Sequence, residues 1–219
     1  MADETGEEHD QRADRVLAAV LPNVAFEGWT ARAMRAAFAE AGLSEAEGEL
    51  LFPDGAAGMI AHWFAWTERQ MLAAMEATPT DATTPTERLV LALQACIDCN
   101  ASHREAVRRT LAFLALPTNA ALALRLGWRA VDALSYAAGD AATDFRFYSR
   151  RVALGLVCAA TLFFWLDDDS EDFVDTRAFI ERRMQGLDGL GPLRPSLSLQ
   201  SLVRPIESLV GRVWRPRTE

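Results

Sequence analysis

The run VALGLVCAATLFFWL, from Val152 to Leu166, limits the fold more than any other stretch of the chain. It carries no charge, yet it falls short of the ~18 to 20 residues that a bilayer span needs. The run therefore predicts a buried core helix. A helix apolar on all sides must be surrounded by protein or by ligand, so several more helices have to enclose it.

The rest of the sequence supplies them. Helical periodicity runs nearly everywhere, and no segment alternates as a strand does. The prediction is an all-α fold. With 219 residues, half of them hydrophobic, the chain can build a large core. Net charge is −9 and the pI about 4.9, which argues against a nucleic-acid partner because such binding rests on cations that neutralise phosphates. All the basic residues are arginines. Cys96, Cys99 and Cys158 make an odd set, and MADETGEEHD resembles neither a signal nor a transit peptide. These features lead us to expect a reduced, cytoplasmic, bacterial protein.

Residues 1–9 read as disordered and 10–52 as a head of three short helices. Residues 53–187 read as a helical body, 188–196 as a Gly/Pro-rich tether and 197–219 as an amphipathic segment. In the head, Val16, Leu17, Val20, Leu21 and Val24 form one stripe, interrupted at Pro22, and Gly28 ends the helix. Thr30 caps the second helix. Ser44 and Glu47 fit a capping box for the third, and Thr84, Pro85 and Glu87 repeat that pattern further on. The body helices are expected over roughly 56–77, 85–100, 102–116, 117–138, 143–166 and 171–187.

Two short helices joined by Ala41-Gly42 outline a helix-turn-helix. The stretch GWTARAMRAAFAEAGLS resembles the head of TetR-type regulators, which implies their fold. The next residues, EAEGELLFPDG, depart from that pattern. Where those regulators carry aromatic and basic residues, this chain has Glu45, Glu47, Glu49 and Asp54, which would repel a phosphate backbone. The head is thus expected to be degenerate, kept for packing, with no nucleic acid as partner. A ligand-responsive transcriptional regulator is the alternative reading.

The second half narrows the resemblance. YAAGDAATDFRFYSRR (136–151) and WLDDDSEDFVDTRAFIERRM (165–184) resemble the coenzyme Q biosynthesis protein nine family over about residues 12–187. That resemblance implies a TetR-like fold and a non-enzymatic, lipid-binding accessory protein of ubiquinone synthesis. It further implies a homodimer that holds an isoprenoid quinone precursor or phospholipid and serves the demethoxyubiquinone hydroxylase. The location it implies is peripheral, at the bacterial inner membrane.

Three sets of residues could carry such a role. The first is apolar: Leu111, Leu114, Leu122, Leu126, Val152, Leu156, Ala159 and Phe163, with Leu116 and Leu124 on the same helices and small residues such as Gly155 among them. Pattern alone reads them as a filled core, whereas the resemblance implies a lipid cavity, where each Å² of buried apolar area contributes about 25 cal/mol. The second set is the family's partner patch, which maps onto Asp132, Leu134, Tyr136, Asp140, Asp144, Phe147, Tyr148 and Arg151, with Gly139, Thr143 and Arg150 beside them. Relatives often carry Trp where this chain has Phe147 and Ser135. Asp140 and Asp144 also suit helix capping.

The third set is Leu202, Val203, Ile206, Leu209, Val210, Val213 and Trp214, at helical spacing around Pro205. Five arginines against two glutamates from Arg194 onward give this end +3, which suits an anionic membrane surface. Docking of this segment on the protein's own body is the competing reading.

Other chemistry lacks its residues. His9, His62 and His103 do not follow a Glu by three positions, so the di-iron pattern is missing and no metal or other cofactor is expected. Cys96 and Cys99 lie one turn apart in a helix without a second pair. There is no Gly-rich phosphate loop and no nucleophile elbow. DDDSED lacks the glycine and spacing of a calcium loop and reads as a solvated turn.

Overall fold

The structure, a computed structural model, describes residues 2–78, 84–139 and 146–188. Among these the regular structure is helical: α1 Ala2–Glu27, α2 Ala31–Glu40, α3 Glu45–Leu51, α4 Ala56–Ala77, α5 Pro85–Asn100, α6 Arg104–Leu114, α7 Ala120–Ala137, α8 Arg146–Leu166 and α9 Val174–Asp188. Single 3-10 turns precede α6, α7 and α9. The all-α expectation holds.

The chain forms two compact units. One comprises residues 1–73 with 98–130, the other 74–97 with 131–219. In the first, the stripe of α1 is the centre of the core: Val16, Val20 and Val24 are fully buried against Ala37, Phe38, Met59 and Trp63. α1 runs through Pro22 and stops at Gly28, whose positive φ of 70° few residues other than glycine accept. Thr30 accepts the Ala33 N–H at 3.2 Å and starts α2, as its side-chain chemistry predicts. α2 ends in a left-handed turn at Gly42, where the Leu43 N–H reaches back to the Phe38 carbonyl at 2.8 Å. Both predicted capping boxes form: Ser44 with Glu47, and Thr84 with Glu87.

The N-terminus corrects one expectation. Residues 2–9, read as disordered from their charge, continue α1. Once the packed segment from Ala13 onward nucleates the helix, each further residue gains a hydrogen bond at little cost. Asp10 and Asp14, the residues that follow, both pair with Arg69 of α4 and fix the part of α1 from which this extension runs.

In the second unit α8 packs on α9, and Leu154 and Trp165 of the one and Ile180 and Met184 of the other are buried. Phe164 and Phe179 stack at 4.6 Å, and the Arg183 guanidinium lies 4.9 Å from the Phe179 ring. α7 closes at Gly139 (φ 73°), and Arg88 of α5 donates twice to the Ala137 carbonyl, at 2.8 and 3.2 Å. That arginine meets one of the acceptors a helix C-terminus leaves open. No described helix is by itself long and apolar enough to cross a membrane; only the bent pair Pro85–Leu114 and Pro117–Ala137 reaches that threshold together.

Candidate functional site

The end of α7 and the start of α8 carry the predicted partner patch. Asp132 and Arg151 form an ion pair that ties the two helices, with Arg151 mostly buried and Asp132 half-exposed. Tyr136 stands out, 79% exposed, one residue before the carbonyl that Arg88 caps. Leu134 is a correction. It is buried, because on α7 it falls in the core-facing stripe with Val131 and Ala138, so it cannot form part of a surface. Ser135 is buried as well and donates its hydroxyl to the Val131 carbonyl at 2.9 Å. Phe147 and Tyr148 lie in the first turn of α8. Asp140, Thr143 and Asp144 lie outside the described residues.

The predicted apolar set divides between the units. Leu114 and Leu126 are buried together around Ile60, with Leu122, Phe64 and Phe113 packed on them, and Leu111 is half-buried. Val152, Leu156, Ala159 and Phe163 recur along α8 at one-face spacing. They lie away from the face of Leu154, Thr161 and Trp165 that meets the core. Among the described residues α8 is therefore not enclosed all round: Val152 is 52% exposed and the other three are half-buried. Leu116 and Leu124, read as part of the apolar body, are exposed. For α8 the reason is that a composition apolar all round does not fix which side receives a neighbour. The tail residues Leu202, Val203, Ile206, Leu209, Val210, Val213 and Trp214 fall outside the described residues.

Sequence reasoning missed Asp168. Within DDDSED, read as a solvated turn, this carboxylate is buried. One oxygen accepts from the backbone N–H and hydroxyl of Ser170, at 2.9 and 2.6 Å. The other accepts from the N–H and hydroxyl of Thr176. Burial pushes the carboxyl pKa up, but these four donors outweigh it and hold the group at about 2. The signal in the sequence was the spacing of an Asp to a Ser two residues on and a Thr eight on, easily lost among five other acids. A second cluster also went unread: Asp14 accepts from His62 at 2.7 Å and from Arg69 at 2.6 Å, and so fastens α1 to α4.

Among the described residues no three or more of His, Cys, Asp and Glu come together as a metal site. Burial raises the Cys99 thiol to about 11 and the Cys158 thiol to about 12, so both are protonated at neutral pH and poor nucleophiles.

Helix order and packing define the class as a TetR-like all-helical protein. The chain superposes on a TetR transcriptional regulator from Nitrosomonas europaea ATCC 19718 with a TM-score of 0.67, covering 81% of this chain and 98% of that one at 23% identity. The sequence similarities are narrower. Residues 120–191 match the COQ9 family model. The chain is 29% identical over 196 residues to the mitochondrial ubiquinone biosynthesis protein COQ9 of Homo sapiens, covering 86% of this chain and 61% of that protein. It is 27% identical over 195 residues to the Drosophila melanogaster protein of the same name, covering 84% and 59%. A similar match to the Schizosaccharomyces pombe protein is 26% identical over 144 residues. The chain is thus similar to the COQ9 proteins, the resemblance that residues 136–151 and 165–184 carry in the sequence, and it spans about three fifths of the length of the curated relatives it matches.

Proposed function

We propose that this protein is a non-enzymatic accessory factor of ubiquinone biosynthesis. It binds an isoprenoid quinone precursor and presents it to the demethoxyubiquinone hydroxylase at the membrane. The observation that carries this reading is where the COQ9 family match falls. Residues 120–191 hold the end of α7, the Asp132–Arg151 tie, the exposed Tyr136 and the open apolar face of α8. Asp132, Tyr136, Asp140, Asp144, Phe147, Tyr148 and Arg151 would meet the hydroxylase. Val152, Leu156, Ala159 and Phe163 would meet either the lipid or the second copy of a homodimer. The segment 197–219 would hold the assembly peripherally on an anionic bilayer, the cytoplasmic face of the inner membrane in a bacterium.

A transcriptional regulator shares the TetR-like fold, but the head's charge speaks against it. α3 begins with Glu45 and Glu47, and two of the nearby arginines are already paired, Arg12 with Glu47 and Arg35 with Glu45. Such a head offers a phosphate backbone no free cationic row.

The test is organic extraction of the purified protein followed by mass spectrometry. A quinone or polyprenyl precursor in near-stoichiometric amount is the expected cargo. Recovery of only bulk phospholipid, or of nothing, would replace the carrier by a scaffold that works through the hydroxylase contact alone.

A further inference from the structure

We infer that the outer face of α7 in the first unit is a second, independent docking site for an anionic lipid surface, distinct from the segment 197–219. Leu124 is 77% exposed and Trp128, one turn on, 42% exposed. Ala120, Ala121 and Gly127 are exposed beside them, so this side of the helix shows water an unbroken apolar strip. Leu116, 50% exposed, extends it into the connection from α6. A patch of this kind on one helix calls for something to cover it.

Charge identifies the occupant. From residue 101 to 130 the chain carries five arginines against one glutamate, a net +4 inside a protein of −9. Arg125 and Arg129 follow the strip along one flank at the same one-turn spacing, both exposed, with Arg129 donating to Glu68 of α4 at 3.0 Å and Arg125 the cation that leads the attraction. No acidic residue occurs on α7 before Asp132. An anionic bilayer would be attracted, at about 1 kcal/mol for each basic residue close to its surface. The shapes agree. Small residues surround one leucine and one tryptophan, and a Cβ added at Gly127 would meet nothing within 4 Å, which suits a fluid interface better than a shape-specific partner. A tryptophan beside arginines has the amphipathic character of the membrane boundary.

The test is co-flotation of the full chain with vesicles of phosphatidylglycerol and phosphatidylcholine in equal parts, compared with phosphatidylcholine alone. Leu124→Glu/Trp128→Glu should lower the partition into the anionic vesicles about tenfold, while Arg125→Glu should lower it less and only for those vesicles. Ile206→Glu/Val210→Glu, in the tail, should produce its own loss, and combining the two pairs should lose more than either. Because Leu124 and Arg125 are exposed, variants at these two positions should melt as the parent does. Arg125→Glu, which removes no apolar contact, keeps the test valid if the double variant unfolds.

Unchanged partition of the α7 variants would overturn the inference, and so would equal binding of the parent chain to both vesicle types. A drop of the α7 variants to a smaller species in lipid-free sedimentation would also overturn it, because the face would then join two copies. The quinone extraction above is a separate readout, so either idea can fail alone.

Discussion

Two helix starts in this chain use the same chemistry and carry different weight. At α3, Ser44 accepts the Glu47 N–H at 3.3 Å, and the Glu47 carboxylate accepts from the Ser44 N–H and hydroxyl at 2.9 and 2.7 Å. At α9, Asp168 takes four donors from Ser170 and Thr176. Both carboxyls are held below their ordinary pKa. For Glu47 the main causes are the hydrogen bonds from the Ser44 side chain and then its backbone. For Asp168 similar bonds overcome an opposing effect of burial. The difference is water. Around α3 it can replace any lost partner, whereas between Asp168 and Thr176 it cannot, and a buried donor left unpaired bears its whole desolvation cost. The Asp168 knot also holds a turn in which Asp172 and Phe173 take positive φ of 51° and 54°, a region that a bulky side chain rarely occupies.

Asp168→Ala should therefore have the largest effect. It strands the buried N–H and hydroxyl of Thr176 and frees those of half-buried Ser170 at a turn that is already strained, and unfolding in urea should show a loss of about 3 kcal/mol. A loss below about 1 kcal/mol would mean that the turn relaxes to let water in, and the contrast with α3 would collapse.

The same carboxylate gives a pH signature. Its folded pKa of about 2 lies below the unfolded value of about 3.9. Its contribution is thus fully present above about pH 4 and disappears as pH falls from about 4 to about 2. The amount is about 2 kcal/mol. Measured against Asp168→Asn, which cannot titrate, the stability advantage of the parent chain should shrink through that window. A constant difference would show that shape, and not charge, makes Asp168 matter.

Gly48 sharpens the comparison from the head's side. It is the buried residue of α3, and a Cβ there would overlap the ring of Phe38, itself buried on α2. Gly48→Ala should cost about 2 kcal/mol by overpacking, even though alanine is the better helix former. Adding Phe38→Leu should recover part of that loss. Full additivity of the two changes would show that the contact is not the cause.

The head was legible because its signals are local. A cap, a glycine and a stripe each depend on residues within one or two turns, so Thr30, Gly42, Ser44–Glu47 and Val16–Val24 all stand where their chemistry placed them. The helices of the body were legible as helices, but their faces were not. α8 is apolar nearly all round, so periodicity could not say that Val152 is left half-exposed, while on α7 Leu134 turns inward and Leu124 outward. Asp168 was missed for a different reason. Burial of one acid among six is decided by how α9 packs on α8, which is information from distant residues. The α1 extension failed in the opposite direction: charge weakens packing, yet a helix can continue without packing once its inner turns are fixed.

Ser44→Ala is the smallest predicted change and the sharpest check of what burial does. It removes the acceptor for the Glu47 N–H and the hydroxyl that bonds the Glu47 carboxylate, so on paper it breaks half of an arrangement like that of Asp168. In solvent, though, water takes over the freed N–H, and the loss should be about 1 kcal/mol, the ordinary value of an N-cap. Ser44→Asp, which keeps an acceptor at the same place, should restore most of it, reduced by the new charge lying beside Glu47. Both changes are read by the same urea unfolding used for Asp168→Ala. If Ser44→Ala costs as much as Asp168→Ala, the number of hydrogen bonds broken sets the penalty and exposure does not. If it costs a third as much and Ser44→Asp rescues it, the two helix starts differ only in whether water can reach them.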